Sequence, residues 1–426
     1  MKKYFLTIVL ILAAFGCKAQ ISYNQYFNND RLRLDLVFAG TNKQQSVYLE
    51  SIHHEGAWSG TRSQMVSPFD YGNYEVALYS VADGAKIYSN SFCSLFSEWR
   101  TTQESKEVAK AFTNSVVIPC PKEKVKVVLS ERLFETGKMS PLFTFTLDPE
   151  DKEIKRDSEN DFKVDEILNN GPSEHKVDLV FAAEGYTAEE MDKFRRDVQR
   201  FVGYLFDIEP YKSRKADFNI WAVESVSVES GTDIPHNDIW KNTVAASNFY
   251  TFKIDRYLTA PDHKKVAQMV TNAPYDAIYV IVNTEKYGGG GIYNYYGLSM
   301  SDHPYTKEVF VHEFGHSFAG LGDEYYESDV AYEDTYNLNY EPWEPNLTTF
   351  VGGEYKWKGM VNAKTPIPTP NEAKYAGVVG VFEGGGYSAK RIYRPSFDCR
   401  MKTNKAPGFC PVCTDAINRM IDYYCR

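Results

Sequence analysis

The sequence predicts an α+β protein in which an amino-terminal β-sandwich is followed by an α/β domain. Three observations carry that expectation: period-two alternation of apolar residues from about Ile21 to Asp148, a dense charged run after it, and alternating strand and helix patterns beyond Gly171. A chain of 426 residues has room for two or three domains of roughly 100–200 residues each. Hydrophobic residues make up 43% and charged residues 24%, a balance that excludes wholesale disorder. The 57 acidic residues outnumber the 47 basic ones and no basic block stands out. Nucleic acid is therefore excluded as a partner, because such binding rests on cations meeting phosphates.

Residues 1–19 are expected to be a signal peptide. Lys2 and Lys3 precede an apolar run from Tyr4 to Ala14, the pattern of a bacterial secretory signal. That run is shorter than the about 20 residues that span a bilayer, and no later stretch reaches that length, so no transmembrane helix is expected. Two processing sites compete. Ala14-Phe15-Gly16-Cys17 reads as a lipobox that would leave a lipid anchor on Cys17, whereas Cys17-Lys18-Ala19 before Gln20 reads as an ordinary signal-peptidase site. By either route the chain is expected to be exported: secreted, periplasmic or lipid-anchored at the bacterial cell surface.

In the sandwich, assigned to 21–148, Leu32, Leu34, Leu36 and Phe38 share one side of a strand; Tyr74 to Tyr79, Lys124 to Leu129 and Leu142 to Leu147 read as further strands. Glu104 to Phe112 is the one helical stretch expected there. His53-His54 reads as a solvated pair. The charges from Asp148 to Asp165 suit a solvated linker, placed at 149–170. The second domain, 171–426, begins with an apolar strand, Val177 to Ala182. Thr187-Ala188-Glu189-Glu190 then forms a capping box that opens a helix whose Met191, Phe194, Val198, Phe201, Val202 and Leu205 face a core. Phe218 to Val226 and Ala277 to Val282 read as strands. Gly288 to Gly291 lacks the G-K-S/T ending of a phosphate loop; Ile292 to Tyr296 reads as a strand, and the glycines before it allow close backbone approach.

Removing Cys17 from the seven cysteines leaves six: Cys93, Cys120, Cys399, Cys410, Cys413 and Cys425. An even number in an exported chain points first to disulfides. The last four could alternatively hold a structural zinc ion, although only one C-x2-C pair is present. A redox role for Cys410-Pro411-Val412-Cys413 lacks the strand-to-helix context it needs.

The chemistry is concentrated in Val311-His312-Glu313-Phe314-Gly315-His316-Ser317-Phe318-Ala319-Gly320-Leu321-Gly322-Asp323-Glu324. His312 and His316, four apart on a helix, project from one face and can bind one zinc ion, with Glu313 within reach of a water there. Hydrolytic zinc needs three protein ligands and an open position. Gly320 and Gly322 can take φ > 0 and turn the chain back, so Asp323 is the favoured third ligand. Glu324, Glu327, Glu333, Glu341 and Glu344 compete with it.

H-E-x-x-H, a glycine-assisted turn, a third ligand and a downstream methionine look like the metzincin zinc peptidases. More closely, the chain from about His175 onward resembles the bacterial IgA-peptidase family of secreted metallopeptidases. That likeness is carried by Val177 to Phe181 leading into Glu184-Gly185-Tyr186-Thr187, by Glu229-Ser230-Gly231-Thr232-Asp233, by Gly288 to Tyr296, by His312 to Tyr325, and by Phe382 to Tyr387 with Tyr393-Arg394-Pro395. The amino-terminal region is similar to the module that often precedes this catalytic domain. The resemblance implies a metzincin-like α/β zinc-peptidase domain with one catalytic zinc on His312, His316 and Asp323, Glu313 as base, and Met401 as the methionine turn beneath the metal. It departs from the metzincin pattern twice. Ala319 stands where glycine is usual, so Asp323 comes seven rather than six residues after His316. Thr403 stands where some members have a tyrosine, which leaves Tyr325 or Tyr387 as the helper at the oxyanion.

A protein or peptide substrate is implied, lying along an edge strand expected at Gly291 to Met300. Disulfides among Cys399, Cys410, Cys413 and Cys425 would pin the methionine turn to a terminal helix at Asp415 to Tyr424, and Cys93 would pair with Cys120. Two other functions fit the sequence: a cell-surface binding protein with a vestigial metal site, and a zinc amidase acting on a non-protein substrate.

Overall fold

The computed structural model of the chain describes residues 21–326 and 335–426. Residues 1–19, expected from the sequence to be a signal peptide and including Cys17, and the alternative ligands Glu327 and Glu333 lie outside the described residues.

The amino-terminal region is built from seven strands: β1 (Phe27–Gly40), β2 (Gln45–Ala57), β3 (Tyr74–Ser80), β4 (Lys86–Phe92), β5 (Lys110–Pro121), β6 (Val125–Arg132) and β7 (Met139–Leu147). They form antiparallel sheets of order β2-β1-β5 and β4-β3-β6-β7. One face of β1 presents Leu32, Leu34, Leu36 and Phe38 to a core shared with Val76, Leu78, Ile118, Val127 and Leu129. Its opposite face carries Arg31, Arg33 and Asp35, which are buried as well.

Those charges are buried because the second domain covers them. Arg31 Nη2 donates to the carbonyls of Thr271 (2.8 Å) and Ala273 (3.1 Å), and Arg33 joins Asp35, Glu55 and Glu159 at 2.5–2.8 Å. His53 belongs to this seam, 3.2 Å from Asp35, and is buried rather than solvated as the sequence suggested; His54 is half-buried beside Asp30. The stretch expected as a solvated linker is likewise engaged. Ile154 is buried, Lys155 N donates to Ile52 O, and Lys163–Leu168 forms a strand. Glu104 to Phe112 is not a helix: a single 3₁₀ turn at Glu104–Lys106 leads into β5. The helices of this region, α1 (Tyr23–Tyr26) and α2 (Leu95–Trp99), are too short to show a period of 3.6.

The second domain centres on a six-stranded sheet of β8 (Lys163–Leu168), β9 (Val177–Glu184), β10 (Phe218–Glu224), β11 (Ala277–Val282), β12 (Gly289–Ile292) and β13 (Tyr296–Met300). The order is β12-β13-β11-β9-β10-β8, with the middle four parallel and both edges antiparallel. Every residue of β9 is buried, as expected where a parallel strand is covered on both faces. Three further helices are α3 (Met191–Leu205), α4 (His263–Met269) and α5 (Thr306–Ala319), followed by the hairpin β14 (Phe382–Gly385) and β15 (Ser388–Arg394) and by α6 (Pro411–Cys425). The capping box at Thr187 forms, Thr187 N donating to Glu190 at 2.9 Å, and Met191, Phe194, Val198, Phe201 and Leu205 of α3 are buried. Helix α5 packs on β12 and β13 and touches both α3, through Phe310 and Phe201, and α6, through Phe318 and Tyr424. The edge strand expected at Gly291 to Met300 is split by a turn: only β12 lies at that edge of the sheet, and β13 lies inside it.

No described helix is long and apolar enough to cross a membrane.

Candidate active site

Helix α5 is the platform of the site. Its carboxyl end is closed by Gly320 at φ 65°, where Gly320 N donates to His316 O and Leu321 N to Gly315 O, the pattern of a left-handed glycine cap. The helix runs one residue further than the six-residue spacing would have it, and the cap moves with it. The chain then doubles back, so that Leu321 O accepts from His316 Nδ1 (2.5 Å) and the Asp323 carboxylate faces both histidines. Gly322 is needed for space rather than for φ: a Cβ there would stand 2.6 Å from Leu347 Cδ1, and both its backbone groups bond Asn346.

Asp323 Oδ1 lies 3.0 Å from His312 Nε2 and 3.2 Å from His316 Nε2, and the two Nε2 atoms are 2.9 Å apart. Each ring turns its Nδ1 to a carbonyl, Arg400 O for His312 (3.0 Å) and Leu321 O for His316. A carbonyl only accepts, so Nδ1 carries a hydrogen, and in the neutral ring that a cation would bind Nε2 presents a lone pair. Two such lone pairs and a buried carboxylate oxygen converge on one point, an arrangement that suits a cation. The separations are close to the edge of about 3.3 Å in a tetrahedron with bonds of about 2.0–2.1 Å. Burial would push His316 down, but the Asp323 carboxylate outweighs it and lifts the imidazole to about 9; the two histidines in turn hold Asp323 well below the usual carboxylate range against its own burial. Burial raises Glu313, with the nearby histidines opposing.

Of the competing ligands, Glu324 turns away to Cys413 and Asn346, Glu341 bonds Thr348 and Thr349, and Glu344 bonds Tyr336. Met401 is fully buried; its sulfur stands 2.9 Å from where a Cβ on Gly315 would lie, beneath the histidine turn.

The hairpin β14–β15 fastens the Asp323 loop. Gly386 N donates to Asp323 O (2.8 Å), Tyr387 N to Tyr325 O (3.1 Å), and the Tyr387 hydroxyl to Asp323 Oδ2. Tyr387, one of two residues considered for the oxyanion, is thus engaged by the carboxylate. Sequence reasoning missed Arg256, whose guanidinium lies 5.7 Å from the centre of the Tyr325 ring beside the site. Nothing in its local sequence marks it, because a loop remote from the histidines delivers it.

The glycines of β12 explain themselves here. A Cβ on Gly291 would stand 2.3 Å from Glu313 O, and one on Gly289 2.8 Å from Val309 Cγ1, so side chains would lift the strand off α5. Strand and helix line a cleft of about 740 Å³ that holds His312, Glu313, His316 and Asp323. Its other wall comes from the sandwich: Asn42 to Gln45, Arg100 and Glu131 to Glu135.

The six described cysteines beyond Cys17 are free thiols. Cys93 and Cys120 fall in separate cores, so the expected bridge between them is not formed. Cys425 bonds Asp217 O, while Cys399, Cys410 and Cys413 gather elsewhere. The four terminal cysteines are therefore not one cluster.

A family model described as IgA Peptidase M64 matches residues 165–374 and 371–421, and one described as Peptidase M64 N-terminus matches residues 22–143. No curated protein matches the chain. The two matches take in most of the described residues, and on that ground the chain belongs to the IgA peptidase M64 family and is a peptidase.

Proposed function

We propose that this peptidase is an exported zinc-dependent endopeptidase of metzincin-like design, hydrolysing peptide bonds of extracellular proteins. The observation that carries the reading is the convergence of His312, His316 and Asp323 beside Glu313 on the wall of one cleft. Two imidazoles and a carboxylate suit zinc, and zinc held by them would supply Lewis acidity toward the scissile carbonyl and lower the pKa of water. Glu313, raised by burial, takes the proton of the attacking water and returns it to the leaving amine. Arg400 O and Leu321 O keep the imidazoles in the tautomer that leaves Nε2 free to bind. Tyr387 orients Asp323, which leaves Tyr325, beside Arg256, as the candidate helper at the oxyanion.

The substrate lies extended along the outer side of β12, where Gly289 alone bridges to another segment, Tyr257, among the described residues. The sandwich, as the second wall, meets residues flanking the cut and contributes to their selection. The proposal of export rests on the segment 1–19, with Lys2 and Lys3 before an apolar run.

The decisive comparison is between the unaltered chain and Glu313→Ala on a proteome-derived peptide library. Removing the base is expected to slow cleavage by about 10²–10⁴-fold while zinc content stays unchanged. Full activity in the variant would remove Glu313 from the chemistry.

A further inference from the structure

Asp323 and Glu324 are neighbours in sequence, yet their carboxylates go to different places. Asp323 faces the histidines; Glu324 enters a dry cluster with Cys399, Cys410 and Cys413, all four of them at least nine-tenths buried. One donor atom from each of the four lies within 4.8 Å of every other. Cys399 Sγ and Cys413 Sγ are 3.8 Å apart, and Cys413 Sγ is 3.2 Å from Glu324 Oε1. Four-coordinate zinc with sulfur at about 2.3 Å and oxygen at about 2.0–2.2 Å has sulfur–sulfur edges of about 3.8 Å and sulfur–oxygen edges of about 3.5 Å. A disulfide needs sulfurs about 2.05 Å apart, and three thiols always leave one over.

Two further observations point to a ligand. Glu324 Oε2 is buried without a hydrogen-bond partner, a costly state for a carboxylate oxygen. Cys410 stands at the N-cap of the fifteen-residue helix α6, where the helix dipole favours a thiolate.

We propose that Glu324, Cys399, Cys410 and Cys413 form a second metal site, separate from the histidine site, that takes a divalent cation of zinc-like softness in a closed four-ligand shell. With every position filled by protein it has no place for substrate, so its work is structural. It ties three segments together: the loop carrying Asp323, the turn carrying Met401, and the start of α6. The catalytic side depends on that tie. Glu324 N donates to Met401 O (2.8 Å), and Arg400, between Cys399 and Met401, offers the carbonyl that orients His312.

The test uses the full chain carrying His312→Ala and His316→Ala, so that the histidine site no longer contributes metal, purified without chelators. Elemental analysis is expected to find about one zinc per chain there, and close to none after adding Cys410→Ser. Exchange of zinc for cobalt should give sulfur-to-cobalt charge-transfer absorption in the near ultraviolet. A metal-free double-histidine variant, a cobalt spectrum without that absorption, or an unreduced chain lighter by two hydrogens with a bridge mapped among the three cysteines would each overturn the proposal. If Cys410→Ser does not fold, the double-histidine chain decides by itself, because its zinc content and cobalt spectrum need no cysteine change. The outcome is independent of whether the histidine site works as proposed above.

Discussion

Tyr387 occupies a left-handed backbone conformation, φ 64°, that non-glycine residues seldom adopt. That conformation puts its amide on Tyr325 O and its hydroxyl on Asp323 Oδ2, so the cost is offset by orienting a carboxylate. Tyr387→Phe keeps the ring and removes the hydroxyl. Zinc affinity, measured by competition with a chelator, should fall about 10–100-fold, the usual effect of losing a group that orients a metal ligand; an unchanged affinity would deny the tyrosine that role. At this scale the sequence was most informative where chemistry and spacing coincide. His312, Glu313 and His316 are legible because a helix brings i and i+4 to one face. Asp323 is legible through the glycine turn before it. Arg256 is not, and Tyr387 was named for the oxyanion rather than for the bond to Asp323 it makes, since tertiary folding alone brings their segments to the histidines. The turn favours Asp323 over its neighbour Glu324, but sequence gives no destination for Glu324, because adjacent carboxylates have the same chemistry until the backbone aims them.

Among the elements, β12 and α5 are packed more closely than side chains allow. Gly291→Ala would drive a methyl group into the carbonyl of Glu313, and the strand or the helix must give way. A loss of about 1–3 kcal/mol is expected in urea unfolding. Peptidase activity should fall further than stability does, because the shift is delivered to the residue beside His312. A variant with unaltered stability and activity would show that β12 does not set the position of the helix. Strands with clear alternation or continuous apolar runs, such as β1, β9 and β11, were readable from sequence. The hairpin of β12 and β13 was not resolved into its parts, since glycines carry no hydrophobic period. Helix α2 was invisible for the same reason of length: five residues do not complete two turns.

Across the whole molecule, the two domains meet through buried polar groups. His263 on α4 is one of them: its Nδ1 accepts from Ser115 N of β5 (2.9 Å), its Nε2 faces Tyr295 O, and its ring stacks on Tyr295. Burial pushes its pKa from 6.5 down to about 4; Asp35 and Asp262 oppose that, and Arg33 adds to it. In this window the unfolded chain binds the proton and the folded one does not, so stability is full above pH 6.5 and declines as pH falls toward 4. The decline is on the order of 3 kcal/mol. His263→Asn, which retains an acceptor, should flatten that part of the curve when denaturation midpoints are compared between pH 7 and 4; parallel curves would exclude the histidine as the cause. The sequence divided the chain into two domains but gave no hint of this contact, because charged residues on a strand read as solvated until a partner covers them. The ion row on β1 has a consequence for inheritance. A sandwich lent to another protein would carry Arg31, Arg33 and Asp35 into water, and a catalytic unit left behind would strand the carbonyls of Thr271 and Ala273. Separating the amino-terminal unit from the rest of this chain would therefore require new partners for the polar groups on both sides of the contact.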